Sequence, residues 1–149
     1  MQGLLRKDTT VRKSKRLANG LGVLQVFIGL GAVGGGLGLV LEPSGANLGM
    51  PLEMLKNSPF STYLVPGIVL FMVNGLGSLL GAAISFTQYR YAGEIAMALG
   101  AFLVAWIILQ VYWIVAFHWF HALYLGLGLL ELVLGWSMRT ALRAYTYKK

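Results

Sequence analysis

Residues 17–41 read LANGLGVLQVFIGLGAVGGGLGLVL, a run that contains no charged side chain. The run is longer than the roughly 20 residues that an α-helix needs to cross a hydrocarbon core of about 30 Å. It also lacks the alternation of a barrel strand, and in lipid only helices and closed barrels satisfy every backbone polar group. The run therefore predicts a transmembrane helix. Three further apolar runs, at about 63–86, 92–117 and 119–142, predict three more.

The composition supports an all-α integral membrane protein, a bundle of four transmembrane helices that forms one domain over residues 17–142. Of the 149 residues, 57% are hydrophobic and only 11% are charged, and the mean hydropathy is +0.71. Soluble domains of this length rarely combine these values. The chain has no cysteine, which excludes disulfides, zinc–thiolate sites, iron–sulfur clusters and thiol catalysis.

The positive charges are segregated along the chain. Eleven of the 12 Lys and Arg residues lie before the first run, in the connection at 87–91, or at and after the end of the last run, and only Lys56 lies on the other side. By the positive-inside rule this predicts a cell-membrane protein with a cytoplasmic N-terminal segment, 1–16, and a cytoplasmic tail, 143–149. The net charge of +7 is then expected to attract the basic segments to anionic lipid headgroups. Since no nucleic-acid-binding motif is present, we predict no nucleic-acid partner.

Glycine lies mostly inside the apolar runs and recurs on helix faces. Gly22, Gly29 and Gly36 are spaced seven residues apart on the first helix. Because lipid supplies no hydrophobic drive for helix association, small residues that let backbones approach closely mark helix contacts. We predict that these glycines face another helix of the bundle or a second copy of the chain. The same prediction covers Gly77, Gly81, Gly128 and Gly135.

The first outer connection, residues 42–62, is long and rich in turn residues. Pro51 can open a short helix through about Asn57, since proline is favoured in the first helical turn. Its apolar residues, which include Met50 and Met54, predict a short amphipathic segment that either lies on the bilayer surface or caps the bundle. Long ordered loops are more often functional than short ones.

The pattern of residues 43–77 resembles that of small bacterial four-helix membrane proteins loosely grouped as DoxX-like. The shared elements include the GMPL turn at 49–52 and the SPF step at 58–60, and the resemblance covers most of the chain from Leu21 onward. It implies a four-helix bundle with a capped outer face in a bacterial inner membrane. DoxX proper is associated with quinone-linked sulfur oxidation, and no catalytic residue carries over from it to this chain.

Glu131 is a lone carboxylate within the fourth apolar run. Ionisable residues at membrane depth are rare and costly, so we expect this one to face the bundle interior, protonated and hydrogen-bonded. At a rise of 1.5 Å per residue, Gln25 and Ser78 lie at nearly the same depth in the membrane as Glu131, counted from the polar ends of their helices. Asn74 and Gln110 lie further out. A structural hydrogen bond and a ligand or proton site are both open interpretations of these residues.

His118 and His121 lie three residues apart at the outer boundary. This spacing could place both imidazoles on one helical face as metal ligands. No third ligand is adjacent in sequence, and a ring with a polar tip suits the membrane interface, so the interfacial interpretation is favoured over a metal site. We assign no cofactor, although a quinone or a lipid would suit a site within the spans.

Neither a nucleophile with an attached base, nor paired carboxylates, nor a phosphate loop is recognisable, so an enzyme is the less favoured class. Two functions remain open. One is a bundle that binds or moves a small molecule, a lipid, a quinone or a proton through a site near Glu131. The other is a non-catalytic accessory subunit that packs against a membrane partner, or a second copy, through its glycine stripes. A cavity that reaches Glu131 would favour the first, and a closed core with an exposed glycine face the second.

Overall fold

The computed structural model describes residues 2–114 and 117–146, and the side chains of residues 9, 11–114 and 117–144. This part of the chain contains four long helices and no strand. Each helix has a stretch long and apolar enough to cross a membrane. The predicted fold class, an all-α bundle of four transmembrane helices, is therefore confirmed. The helices are α1 (Gln2–Leu41), α2 (Leu64–Phe86), α3 (Ala92–Ile114) and α4 (Trp119–Thr146).

The helices pack so that each has two main neighbours: α1 contacts α2 and α4, and α3 contacts the same two helices. The α1–α2 hairpin lies at one end of the bundle, called here the hairpin end. The α2–α3 turn, the start of α1 and the end of α4 lie at the other, the turn end. The apolar core at the turn end consists of Ala18, Leu21, Ala92, Ala96 and Met138. Nearer the hairpin end it consists of Ile28, Leu103, Trp106 and Ile107.

Residues 2–16 of the predicted basic segment are part of α1, which begins at Gln2. Helix α4 likewise continues past its predicted end to Thr146. Hydropathy marks only the part of a helix that lies in lipid. Arg and Lys are good helix formers, so the helix can continue into water without an apolar sequence. The positions outside the described residues are 1, 115, 116 and 147–149, which include part of the predicted third helix and of the basic tail.

The hairpin folds as two short 3₁₀ turns, Ala46–Leu48 and Leu52–Leu55, in place of the helix predicted from Pro51 to about Asn57. Short segments commonly adopt this tighter hydrogen-bonding pattern. Leu55 is buried against Tyr63 and the end of α1. Of the two predicted arrangements, the hairpin therefore caps the bundle.

The second helix is not uniformly α-helical, because residues Leu70–Gly77 form a π-helical segment between two α-helical stretches. This irregularity was not predicted from the sequence. Segments of π-helix are rare and occur frequently at functional sites. Asn74 lies in this segment and is buried, so α2 is irregular at the position where it turns a polar side chain inward.

The glycine stripe of α1 faces α2. A Cβ atom added at Gly22 would lie 2.5 Å from a ring atom of Phe86, and one added at Gly29 would lie 2.8 Å from a side chain of α2. At Gly36 the nearest atom would be the backbone nitrogen of Phe71, at 2.6 Å. The prediction that this stripe contacts another helix is confirmed, and the contact is within the bundle.

A second close approach joins α3 to α4. A Cβ atom added at Gly128 would lie 3.3 Å from the carbonyl oxygen of Gly100, and one added at Gly135 would lie 3.0 Å from that of Gly93. The predicted contact at Gly128 and Gly135 is confirmed. Their partners on α3, Gly93 and Gly100, show the same seven-residue spacing but were not predicted. The two remaining glycines predicted to contact another helix, Gly77 and Gly81, both face the side chain of Leu99 on α3.

Candidate functional site

Glu131 lies in the interior of the bundle with no exposed surface. The Nε2 amide of Gln25, on α1, donates a hydrogen bond to Oε1 of Glu131, on α4, at 2.9 Å. The predicted interior placement of Glu131 is confirmed, and of its two predicted side-chain partners, Gln25 and Ser78, Gln25 forms the bond. The hydroxyl of Ser85, on α2, donates to Oε1 of Gln25 at 2.7 Å. A chain of three buried polar side chains therefore links three helices.

The serine in this network is Ser85 and not the predicted Ser78, which is buried closer to the hairpin end. The prediction compared only the depths of Cα atoms along each helix. A helical Cα–Cβ bond tilts toward the N terminus of its helix. Gln25 therefore leans toward the turn end, whereas Ser85, on an antiparallel helix, leans toward the hairpin end. The two side chains meet although their Cα atoms differ in depth.

The other carboxyl oxygen, Oε2 of Glu131, is buried without a hydrogen-bond partner among the described residues. The ion pairs found in the same residues join Arg139 and Arg143 to Glu94, at 3.3 and 3.1 Å. Glu131 takes part in neither. Gly100 of α3 packs against the Cβ atom of Glu131. The network is therefore enclosed by all four helices and holds a carboxyl group that no described cation neutralises.

A cavity of about 480 Å³ lies at the hairpin end, bounded by all four helices and by the hairpin. Most of its wall is apolar. Asn74 and Gln110, two of the predicted site residues, line it, and Glu131, Gln25 and Ser78 do not. The structure thus divides the predicted site into an enclosed hydrogen-bond network and a separate cavity nearer the hairpin end.

His121 belongs to the wall of this cavity and is only 1% exposed. The start of α4 turns His121 inward, while His118 is exposed. The depth predicted for both histidines, at the membrane interface, stays a prediction. The backbone N–H of His118 donates to Nδ1 of His121 at 3.0 Å. Two polar atoms of the cavity-lining residues are buried without a partner among the described residues: Nδ2 of Asn74 and Nε2 of His121.

No group of three or more His, Cys, Asp or Glu side chains comes together in the described part of the chain. Glu42, a carboxylate in the hairpin, is engaged in a local hydrogen bond. Its Oε1 accepts a hydrogen bond from the hydroxyl of Ser44 at 2.6 Å. This bond lowers the pKa of Glu42 below its ordinary value.

Tyr124, which is not among the predicted site residues, also lines the cavity. Its hydroxyl fills the space beside Gly31 of α1, where a Cβ atom would overlap it. The overlooked signal was helical spacing. Tyr124 follows His121 by three residues, and residues three apart share a helical face.

No protein-family model, curated protein or solved structure matches the chain. The resemblance to DoxX-like proteins therefore stays a prediction.

Proposed function

We propose that this chain is an integral membrane protein that binds a small, largely apolar molecule in the cavity at the hairpin end. The proposal rests on the size and the composition of this cavity. Its volume of about 480 Å³ lies within the range of about 300–1,000 Å³ typical of small-molecule sites. Its wall also has the usual composition of such sites, apolar side chains with a few polar groups that orient the ligand. A lipid chain or a quinone has the required apolar character.

The hydrogen-bond network of Glu131, Gln25 and Ser85 does not line the cavity. Its side chains are enclosed, and the hydrogen bonds of Gln25 to Glu131 and Ser85 hold α1, α2 and α4 together. We expect the carboxyl group to be protonated, because a charge without a cation is costly at this depth. We therefore assign the network a structural role, and a proton-carrying role is the alternative.

A non-catalytic accessory subunit is the second candidate function. It is favoured by glycines that face outward: Cβ atoms added at Gly20, Gly34 or Gly126 would have no neighbour within 4 Å. Open small-residue surfaces let another helix approach closely in lipid. That helix would belong to a second copy of the chain or to a membrane partner, and its binding is compatible with a ligand in the cavity.

We further propose a bacterial cell membrane as the location, with both termini in the cytoplasm. The proposed orientation is supported by the distribution of Lys and Arg, which concentrate toward the turn end, while the hairpin contributes only Lys56. Short cytoplasmic segments carry an excess of these residues.

Orientation can be tested by labelling a single cysteine, because the chain has none of its own. Asn47 is exposed in the hairpin. Asn47→Cys is expected to react with a membrane-impermeant maleimide added to intact cells. Tyr89→Cys, at an exposed position in the turn at the other end, is the control and should react only after the cells are opened. The reverse pattern would contradict the proposed orientation.

The cavity can be tested with two neighbouring glycines of α1. Gly35 lines the cavity, whereas Gly34 faces outward with no atom near its would-be Cβ. Native mass spectrometry from mild detergent is expected to show a retained small molecule on the unmodified protein. Gly35→Phe should reduce the retained fraction about tenfold or more, since overpacking typically costs about 1–3 kcal/mol and about 1.4 kcal/mol is a tenfold change in affinity.

Gly34→Phe is the matched control and should keep the molecule bound. Thermal unfolding followed by circular dichroism checks that both variants remain folded. Equal retention by the two variants, or no bound molecule on the unmodified protein, would contradict ligand binding in the cavity.

A further inference from the structure

Two residues that line the cavity, Asn74 and His121, each carry a buried nitrogen atom without a hydrogen-bond partner among the described residues, Nδ2 and Nε2 respectively. The two residues are 2% and 1% exposed. Buried polar groups in folded proteins are nearly always hydrogen-bonded. Two such atoms at one cavity therefore indicate the chemistry of the molecule that occupies it.

The hydrogen bond at Nδ1 of His121 determines whether its Nε2 atom is a donor or an acceptor. Nδ1 of His121 accepts the backbone N–H of His118, so Nδ1 carries a lone pair and no proton. A neutral imidazole has one protonated nitrogen, which must then be Nε2. Nε2 of His121 is therefore a donor. The amide nitrogen of Asn74 is also a donor, so both unpartnered groups require an acceptor.

The rest of the wall restricts the charge of the ligand. None of the described residues that line the cavity is Lys, Arg, Asp or Glu. A carboxylate or phosphate would enter a largely apolar space without a cation, and an ammonium group would enter it without an anion. Burying a charge without a partner is strongly unfavourable. The wall therefore suits an uncharged molecule.

Resting on the proposed function, we infer that the cavity recognises an uncharged, largely apolar molecule through acceptor oxygens, such as carbonyls, that bind Nδ2 of Asn74 and Nε2 of His121. An apolar molecule without acceptors would leave both donors unpaired. Sites built to donate hydrogen bonds discriminate strongly against analogues that cannot accept them.

Nitrogen NMR of the protein labelled with ¹⁵N-histidine tests this inference directly, because the chain has only two histidines. The protein is placed in nanodiscs of ether-linked phosphatidylcholine, a lipid without carbonyl groups. We expect His121 to have an unprotonated Nδ1 and a protonated Nε2, with His118→Gln assigning the signals. Methyl dodecanoate, an ester, should shift the Nε2–H resonance, whereas tridecane, a hydrocarbon of similar length, should leave it in place.

The outcomes separate this inference from the proposed function. A proton on Nδ1 of His121, or an Nε2–H resonance that methyl dodecanoate does not shift, would overturn the inference. Native mass spectrometry in the same samples measures binding of each probe. If both probes bind equally, the cavity binds apolar molecules and only the inference fails. If neither probe binds, the proposed function fails as well.

Variants that remove one donor provide a second measurement. Asn74→Leu and His121→Phe should each weaken binding of methyl dodecanoate about threefold to tenfold, the effect of one lost hydrogen bond, with tridecane binding unchanged. Asn19→Leu, at an exposed position toward the turn end of α1, is the matched control and should change neither. Equal losses for both probes would contradict recognition through these donors.

The same spectrum identifies the source of the carbonyl. In nanodiscs of ester-linked phosphatidylcholine, a shifted Nε2–H resonance of His121 before any probe is added would identify a bilayer lipid as the occupant. A shift only after methyl dodecanoate is added would identify a free carbonyl compound. Either result supports the inference, and the comparison decides between the two sources.

Discussion

Replacing Gly36 with alanine is expected to lower the free energy of unfolding of the bundle by about 1–3 kcal/mol, the usual cost of overpacking a tight contact. The added Cβ atom would lie 2.6 Å from the backbone nitrogen of Phe71 and 2.8 Å from its Cα atom. Backbone atoms cannot rotate away as a side chain can. The substitution must therefore push α1 away from the π-helical segment of α2. Unfolding in mixed micelles by added sodium dodecyl sulfate measures the change.

Gly34→Ala is the matched control, two residues away on the same helix. A Cβ atom there has no neighbour within 4 Å. Alanine also has a better helix propensity than glycine, by up to about 1 kcal/mol. The control is therefore expected to be neutral or stabilising. Equal unfolding curves for the Gly36 and Gly34 variants would contradict the close approach of α1 and α2.

Replacing Glu131 with leucine is expected to destabilise the protein by about 1–3 kcal/mol, because Nε2 of Gln25 would be buried without its acceptor. Glu131→Gln should behave differently. It keeps an acceptor oxygen at the same reach, and it removes no charge if the carboxyl group is protonated. We expect its free energy of unfolding to stay within about 0.5 kcal/mol of the unmodified protein, as for changes that break no interaction. The same unfolding assay compares the two variants.

Gln25→Leu completes a double-mutant cycle with Glu131→Leu. Since the two side chains are in direct contact, the cycle should report a coupling of about 0.5–3 kcal/mol. If Glu131→Gln destabilises as much as Glu131→Leu, the carboxyl group is ionised and the proposed protonation is wrong. If Glu131→Gln remains folded but no longer retains its bound molecule or moves protons, Glu131 has a titrating function and not a structural one.

The helices could be predicted because lipid acts on each segment separately. The uncharged run 17–41 must form a helix whatever its neighbours are, since its backbone has no other way to satisfy its hydrogen bonds in the membrane. The same physics does not apply outside lipid, which is why the start of α1 at Gln2 was missed. It also does not distinguish an α-helical from a π-helical turn, so Leu70–Gly77 could not be recognised.

Part of the candidate site could be predicted as well. A buried carboxyl group needs a partner, and depth along the helices left few candidates, so Gln25 could be identified for Glu131. Ser85 was missed because side-chain tilt, and not depth alone, decides which groups meet. The burial of His121 in the cavity wall was not predicted, because hydropathy locates a residue along a helix but not around its axis.

Four helices long and apolar enough to span a membrane, an inward-facing Glu131 and a glycine stripe that contacts another helix could all be predicted from the sequence. Each follows from a cost that acts on one segment alone, the exposure of charge or backbone to lipid or the loss of close helix contact. The position of the cavity away from Glu131, and the place of Asn74 and His121 in its wall, are properties of the packed bundle. Those features depend on the rotation and tilt of four helices packed together, and no single segment encodes them.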